Sequence, residues 1–366
     1  IMNLNPWHLW SPDGKPAPGT EEIVATLESV LKRAPDHLGA NHYYIHAVEA
    51  SQNPERALGS AGRLPALAPA AGHLVHMPAH IQSRVGDHAG AIRSNEAAAA
   101  ADRKFLAETH EPGVYPMMYY SHNLHFLAYA ACMRGDFKEA SDAAAKLVAN
   151  AAPNVKMMPM LEGFLPTPTL VLIAFEKWND ILKLPAPDPS LMMSTAMWHF
   201  ARGVAQANLG KTAEAAEEQL AWQTAAAQIP ADTTYDMLNK VSDVFKVHHD
   251  LLLAALAHSR GDAADAIDNL RRAVQSEDAL NYSEPPSWYT PVRPMLGREL
   301  MAQKQFAEAE KVLREDLKRN PRDARSLASL RDCLTAENHP YEAAQIEQQY
   351  QTAWKMPEVA DKRHGR

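Results

Sequence analysis

The 366-residue sequence predicts an all-α fold, a right-handed superhelix of helix–turn–helix hairpins, and three observations carry that expectation. A turn glycine followed five residues later by alanine recurs at 86–91, 135–140, 210–215 and 261–266. Alanines in the same slot lie 34 residues apart at Ala57 and Ala91, and again at Ala309 and Ala343, which is a spacing of stacked helical hairpins. The chain is also longer than one compact core accommodates, while its 46% hydrophobic and 22% charged residues are those of a folded protein. An array of repeats satisfies all three.

Each turn glycine ends one helix, and the small alanine lets the next helix pack closely against it. Small residues recur in the facing slot of the first helices, at Ala79, Ala128, Gly203, Ala254 and Gly297, with Ile45 and Arg331 as departures. Pro69 and Pro321 fall where second helices close. This pattern divides one superhelix, 1–366, into an incomplete N-terminal hairpin at 1–36, repeats at 38–150, middle repeats at 157–283 and C-terminal repeats at 284–356. Ile1-Met2-Asn3-Leu4 reads as the middle of a helix, so the numbering is expected to begin downstream of further chain. The stretch 109–116, with Pro112, Gly113 and Pro116, is a turn-rich insertion, and 164–182 fits the repeat only loosely.

With these slots in place the chain resembles the tetratricopeptide-repeat family over nearly its whole length. The stretches 42–49, 73–80 and 121–126 are also similar to bacterial proteins with such repeats and histidine-rich inner helices. The resemblance implies a concave groove lined by the first helix of each hairpin, where ligands bind.

A net charge of −8 leaves no electrostatic footprint for nucleic acid or an anionic membrane, and neither partner is expected. Apolar runs fall short of the ~18 residues a spanning helix needs, so a soluble protein is expected, with cytoplasm and periplasm both open. Cys132 and Cys333 are too few for a disulfide framework or a thiolate zinc site. Phosphate-binding loops, dinucleotide fingerprints and nucleophile elbows are missing from the sequence. The basic tail at 362–366 is expected to fray.

Helical periodicity points positions 2, 5, 9 and 12 of each first helix into the groove. Three successive helices read there as Gly39, His42, His46, Glu49; His73, His76, His80, Ser83; and His122, His125, Tyr129, Cys132. Seven of the twelve slots are histidine, whereas 17 histidines scattered over 366 positions would put about half of one there. His42 and His46, like His76 and His80, are i,i+4 pairs on one helix face. Imidazole is the commonest nitrogen ligand of first-row metals.

His42, His46, His73, His76 and His80 are therefore the candidate metal ligands. Helices of adjacent repeats pack about 8–10 Å apart, which lets their histidines share an ion, while histidines two repeats apart do not reach one. One mononuclear site, or two in a row, follows. Nitrogen ligation suits copper or zinc, and two histidines plus Glu49 would suit iron. Glu49 and Tyr129 are the candidate catalytic groups, with Glu49 alternatively orienting a ligand imidazole. His122, His125, Tyr44 and Arg293 are candidates for holding substrate, Arg293 by pairing with a carboxylate. The segment 284–294, rich in proline yet carrying Trp288, Tyr289 and Arg293, either closes over the groove or enters the next hairpin rigidly.

Two functions are consistent with this register. One is a transition-metal-dependent enzyme, an oxidoreductase or hydrolase, acting on a small-molecule or peptide ligand in the groove. The alternative is a non-catalytic scaffold that binds a partner peptide there. Isolated histidines such as His37, His88, His199 and His249 are read as ordinary hydrogen-bonding residues.

Overall fold

A computed structural model describes residues 8–110 and 113–354. The start of the expected N-terminal hairpin at 1–7, the middle of the turn-rich insertion at 111–112, and 355–366 with the basic tail lie outside the described residues. In chain order the α-helices are α1 (Thr20–Arg33), α2 (Leu38–Val48), α3 (Leu58–Leu67), α4 (Gly72–His76), α5 (Pro78–Arg84), α6 (His88–Thr109), α7 (Tyr120–Arg134), α8 (Phe137–Ala151) and α9 (Thr167–Ala174). They continue as α10 (Trp178–Ile181), α11 (Met192–Asn208), α12 (Thr212–Ala227), α13 (Val241–Ser259), α14 (Ala263–Asp278), α15 (Arg293–Ala302), α16 (Phe306–Arg319), α17 (Ala324–Ala336) and α18 (Pro340–Ala353). Two isolated β-bridges are present, and no helix among the described residues is long and apolar enough to cross a membrane.

Local chemistry explains the hairpins. Gly86, Gly135, Gly210 and Gly261 have φ between 73 and 81°, the left-handed conformation that closes a helix and that residues with a Cβ rarely adopt. In three of the four turns an aspartate follows at once and caps the next helix: Asp87 accepts from the Gly90 amide, Asp136 from Glu139 and Asp262 from Asp265. The slot alanines Ala57, Ala91, Ala140, Ala215, Ala266, Ala309 and Ala343 are all buried. Helix pairs α7·α8, α11·α12, α13·α14, α15·α16 and α17·α18 form antiparallel hairpins, and the first helices α11 and α13 or α15 and α17 also pack on one another. That arrangement is a tetratricopeptide-like superhelix.

Two departures from regularity shape the inner face. The first helix of the second histidine-bearing hairpin is broken into α4 and α5 at Met77-Pro78, because proline has no amide hydrogen and crowds the carbonyl one turn earlier. A π-helical turn at Tyr115–Tyr119 leads into α7. The loosely fitting stretch at 164–182 is a stunted hairpin of eight and four helical residues.

The superhelix also comes back on itself. Arg134 donates to the carbonyls of Thr352 and Ala353 (3.1 and 2.6 Å), and Arg325 donates to that of Ala174 (3.0 Å). Gly86 lies so close to the Pro321 carbonyl, and Gly135 to the Trp354 ring, that a Cβ at either would overlap its neighbour. The last hairpins thereby close against the turns of the early ones.

Candidate metal centre

Helix α2 presents His42 and His46 on one face, α4 presents His73 and His76, α5 presents His80, and α7 presents His122. Their ring nitrogens, with the Glu49 carboxylate, fall into three groups whose ligand atoms lie within 4.8 Å of one another: His42, His46, His73; His76, His80, His122; and His46, Glu49, His80. The grouping obeys the distance rule set by helix packing, since each group draws only on adjacent repeats.

The second group is the most fully organised. His76 Nε2 lies 2.7 Å from His80 Nε2 and 3.0 Å from His122 Nε2, so three ring nitrogens gather within 4.8 Å of one another. The opposite nitrogen of His76 is held 2.7 Å from Asn95 Oδ1, and Asn95 in turn donates to the Ala91 carbonyl (2.8 Å), which fixes which way the amide points. His76 Nδ1 must then carry the proton, leaving Nε2 as a lone pair. In the first group His42 Nε2 and His73 Nε2 are 3.1 Å apart, and the His73 ring meets Tyr119 edge-on at 5.1 Å.

Glu49 stands between the groups. Its Oε1 lies 3.0 Å from His46 Nδ1 and its Oε2 2.7 Å from His80 Nδ1, in a side chain only 4% exposed. A second carboxylate, Glu284, also contacts His80 Nδ1. Burial pushes the Glu49 carboxyl up, but the neighbouring His80 and His46 outweigh it and hold Glu49 well below the usual carboxylate range. Burial pulls the His80 imidazole down, and Glu284 and Glu49 reverse this and raise it. Burial, reinforced by the charges of neighbouring histidines, drops His42 to about 4 and His73 to about 3, and takes His76 and His122 far below 6.5. These four rings are neutral at pH 7, the state in which imidazole binds a metal.

Several expected site residues stand elsewhere. Tyr44 points away from the groove into the core beside α1, where its hydroxyl donates to Glu28 Oε1 (2.6 Å), so the expectation that it holds substrate is corrected. Arg293 already has its carboxylate: its guanidinium grips Asp278 with two bonds of 2.8 and 2.6 Å, an internal pair in place of the expected ligand contact. His122, expected on the substrate side, belongs with His76 and His80. His125, one turn further along α7, packs against Phe164 and Tyr289 (5.2 and 5.6 Å) and is in none of the three groups. Tyr129 is buried against Phe126 and Tyr289 rather than beside the ligand nitrogens. His37 caps α2, His199 pairs with Glu218, and His249 stacks on Trp222, as ordinary histidines do.

The segment between α14 and α15 crosses the inner face on its way into the next hairpin, which joins both expectations for it. Tyr289 donates to the His125 carbonyl (3.2 Å), Trp288 packs on His248 (5.1 Å), and Glu284 reaches His80. Beside it lies a cavity of about 570 Å³ whose walls include Arg84, Tyr129, Tyr282, Glu284, Tyr289 and Arg293. The imidazoles of the three groups do not line that cavity; Glu284 and Phe126 border it and also contact His80. Asn95 and Glu284 were invisible to the groove register, Asn95 because it sits on a second helix and Glu284 because it belongs to no helix.

No protein-family model and no curated protein matches the sequence. Among solved structures, a human IFIT1 dimer with m7Gppp-AAAA is similar at 14% identity and a TM-score of 0.36, over 91% of this chain and 68% of that one. The P58(IPK) TPR domain is similar at 14% identity and a TM-score of 0.24, over 92% and 93% of the two chains. Neither likeness bears on what this chain binds.

Proposed function

We propose that this protein is a transition-metal-dependent enzyme whose metal centre is the buried cluster of His42, His46, His73, His76, His80 and His122 with Glu49. The observation that carries the reading is the convergence of three Nε2 atoms at His76, His80 and His122, with His76 locked from behind by Asn95. With its Nδ1–H committed to Asn95, His76 turns a lone pair toward two further imidazole nitrogens, and burial keeps His76 and His122 neutral; a cation that displaced the proton of His80 would be held by all three. A hydrogen-bonded outer partner that fixes the tautomer, as Asn95 does for His76, is the usual accompaniment of a histidine ligand.

Six imidazoles favour copper or zinc, and the His46, Glu49, His80 group adds a donor set suited to iron. Such an ion supplies Lewis acidity or electron transfer to a bound substrate. A small molecule suits the interior better than an extended peptide, because Trp288 and Tyr289 occupy the inner face where a partner chain would run. The cavity bounded by Glu284 is the nearest space for it.

The experiment is elemental analysis of the full chain, purified without chelator and again after reconstitution with copper, zinc or iron. Stoichiometric metal with nitrogen coordination by X-ray absorption is expected, and its loss in His76→Ala with His80→Ala. A protein that takes up none of the three ions would overturn the reading and leave the peptide scaffold.

A further inference from the structure

The loop after α14 delivers a buried carboxylate to a histidine more than 200 positions away, and the loop is firmly placed. Asn281 donates its amide to Asn239 Oδ1 (2.8 Å) and its side chain to the Leu238 carbonyl (3.0 Å), while Asn239 returns a bond to the Asn281 carbonyl (3.0 Å). At the other end the Val292 amide donates to the Glu277 carboxylate (3.2 Å). Glu284, held between these anchors, has a side chain only 7% exposed.

Four buried polar atoms then meet at one spot without an aligned hydrogen bond: both oxygens of Glu284, Oε2 of Glu49 and Nδ1 of His80. They are not far apart, since Glu49 Oε2 is 2.7 Å from His80 Nδ1 and Glu284 touches the same nitrogen. One imidazole nitrogen carries at most one proton, so it donates to one carboxylate and leaves the second without a hydrogen-bond donor, its charge only partly offset by the neighbouring Arg84. A cation among them answers every orphaned atom at once. His46, whose Nδ1 meets the other oxygen of Glu49, brings a further nitrogen to the same place.

We infer that Glu284, Glu49, His80 and His46 form a further cation position, richer in oxygen than the histidine triads, at the end of the centre that borders the cavity. This inference rests on the reading of the cluster as a metal centre. Two carboxylates with two imidazoles suit divalent manganese, iron or zinc, and suit cuprous copper poorly, because harder ions favour oxygen donors. An ion here is the one that a molecule in the cavity meets, since Glu284 is part of the cavity wall. It also ties the 281–292 loop to α2 and α5, so metal uptake and ordering of that loop are linked and each strengthens the other.

The test uses the metal-free full chain titrated with Mn(II), the free ion being counted by electron paramagnetic resonance, alongside Glu284→Gln, which keeps the side chain's size. Wild type is expected to hold Mn(II) at least tenfold more tightly than Glu284→Gln. Hydrogen exchange in 281–292 is expected to slow on Mn(II) addition to wild type, a readout that needs no variant to fold. Equal Mn(II) affinity in the two proteins, or exchange in 281–292 that ignores the ion, overturns the inference; zinc or copper still bound through nitrogen alone would then leave the proposed function standing. Failure of wild type to bind any of these ions overturns both.

Discussion

Asn95 is where metal binding and fold stability separate most cleanly, because it touches His76 and never the ion. Replacing it by leucine fills roughly the same space and removes the acceptor 2.7 Å from His76 Nδ1. The buried N–H is then left without a partner, a loss of about 1–3 kcal/mol to the folded metal-free protein. For a chain of this length that lowers Tm by only ~1–4 °C. The metal pays a separate penalty: losing the bond that holds a ligand histidine in its tautomer and orientation weakens affinity about 10–100-fold, or roughly 1.4–2.7 kcal/mol. Chelator competition against zinc or copper at fixed pH measures the second quantity, and differential scanning calorimetry of the metal-free protein measures the first. If Asn95→Leu keeps wild-type metal affinity while its Tm falls, His76 is a core histidine and the convergence of Nε2 atoms has been misread.

Other substitutions probe the neighbouring assignments. His122→Ala is expected to lose metal, whereas His125→Ala, which gives up ring contacts with Phe164 and Tyr289, is expected to lose stability and keep its metal content. Arg293→Ala breaks a largely buried pair with Asp278 and should cost about 2–4 kcal/mol in urea unfolding, with metal uptake unchanged. A pH effect comes from Glu277, which burial raises to about 7 from 4.5 against the pull of the Val292 amide. The folded chain holds that proton more tightly than the unfolded chain, so stability is expected to fall as pH rises from about 4.5 to 7, by at most ~3 kcal/mol. Glu277→Gln should flatten this part of the stability–pH curve, and an unchanged slope would refute the assignment.

What could be read in the sequence was whatever repeats locally. The Gly-Asp turns, the slot alanines and the helical spacing of His42 with His46 and of His76 with His80 are set by neighbours within a few residues, and the hairpins followed from them. Groove register placed the histidines of three successive helices on one surface, and helix spacing limits each group of candidate ligands to adjacent repeats. Register says which face a side chain leaves from, not how far it travels. Tyr44 adjoins the inner face in sequence yet turns to Glu28, and His125, one turn beyond His122, stops against Phe164.

The rest depends on contacts between parts far apart in the chain. Of the five candidate ligands, His42 and His46 group with His73, and His76 and His80 group with His122, while Glu49 bridges His46 and His80 in a third group. Asn95 behind His76 and Glu284 against His80 come from a second helix and from a loop, which no groove periodicity describes. Arg293 had the right chemistry to hold a carboxylate, but the fold supplies its own in Asp278. The sequence by itself determined the hairpins and the histidine-lined face, since both repeat with the helix. Which nitrogens meet, and which carboxylates reach them, was decided only when the superhelix closed and brought the 281–292 loop across its interior.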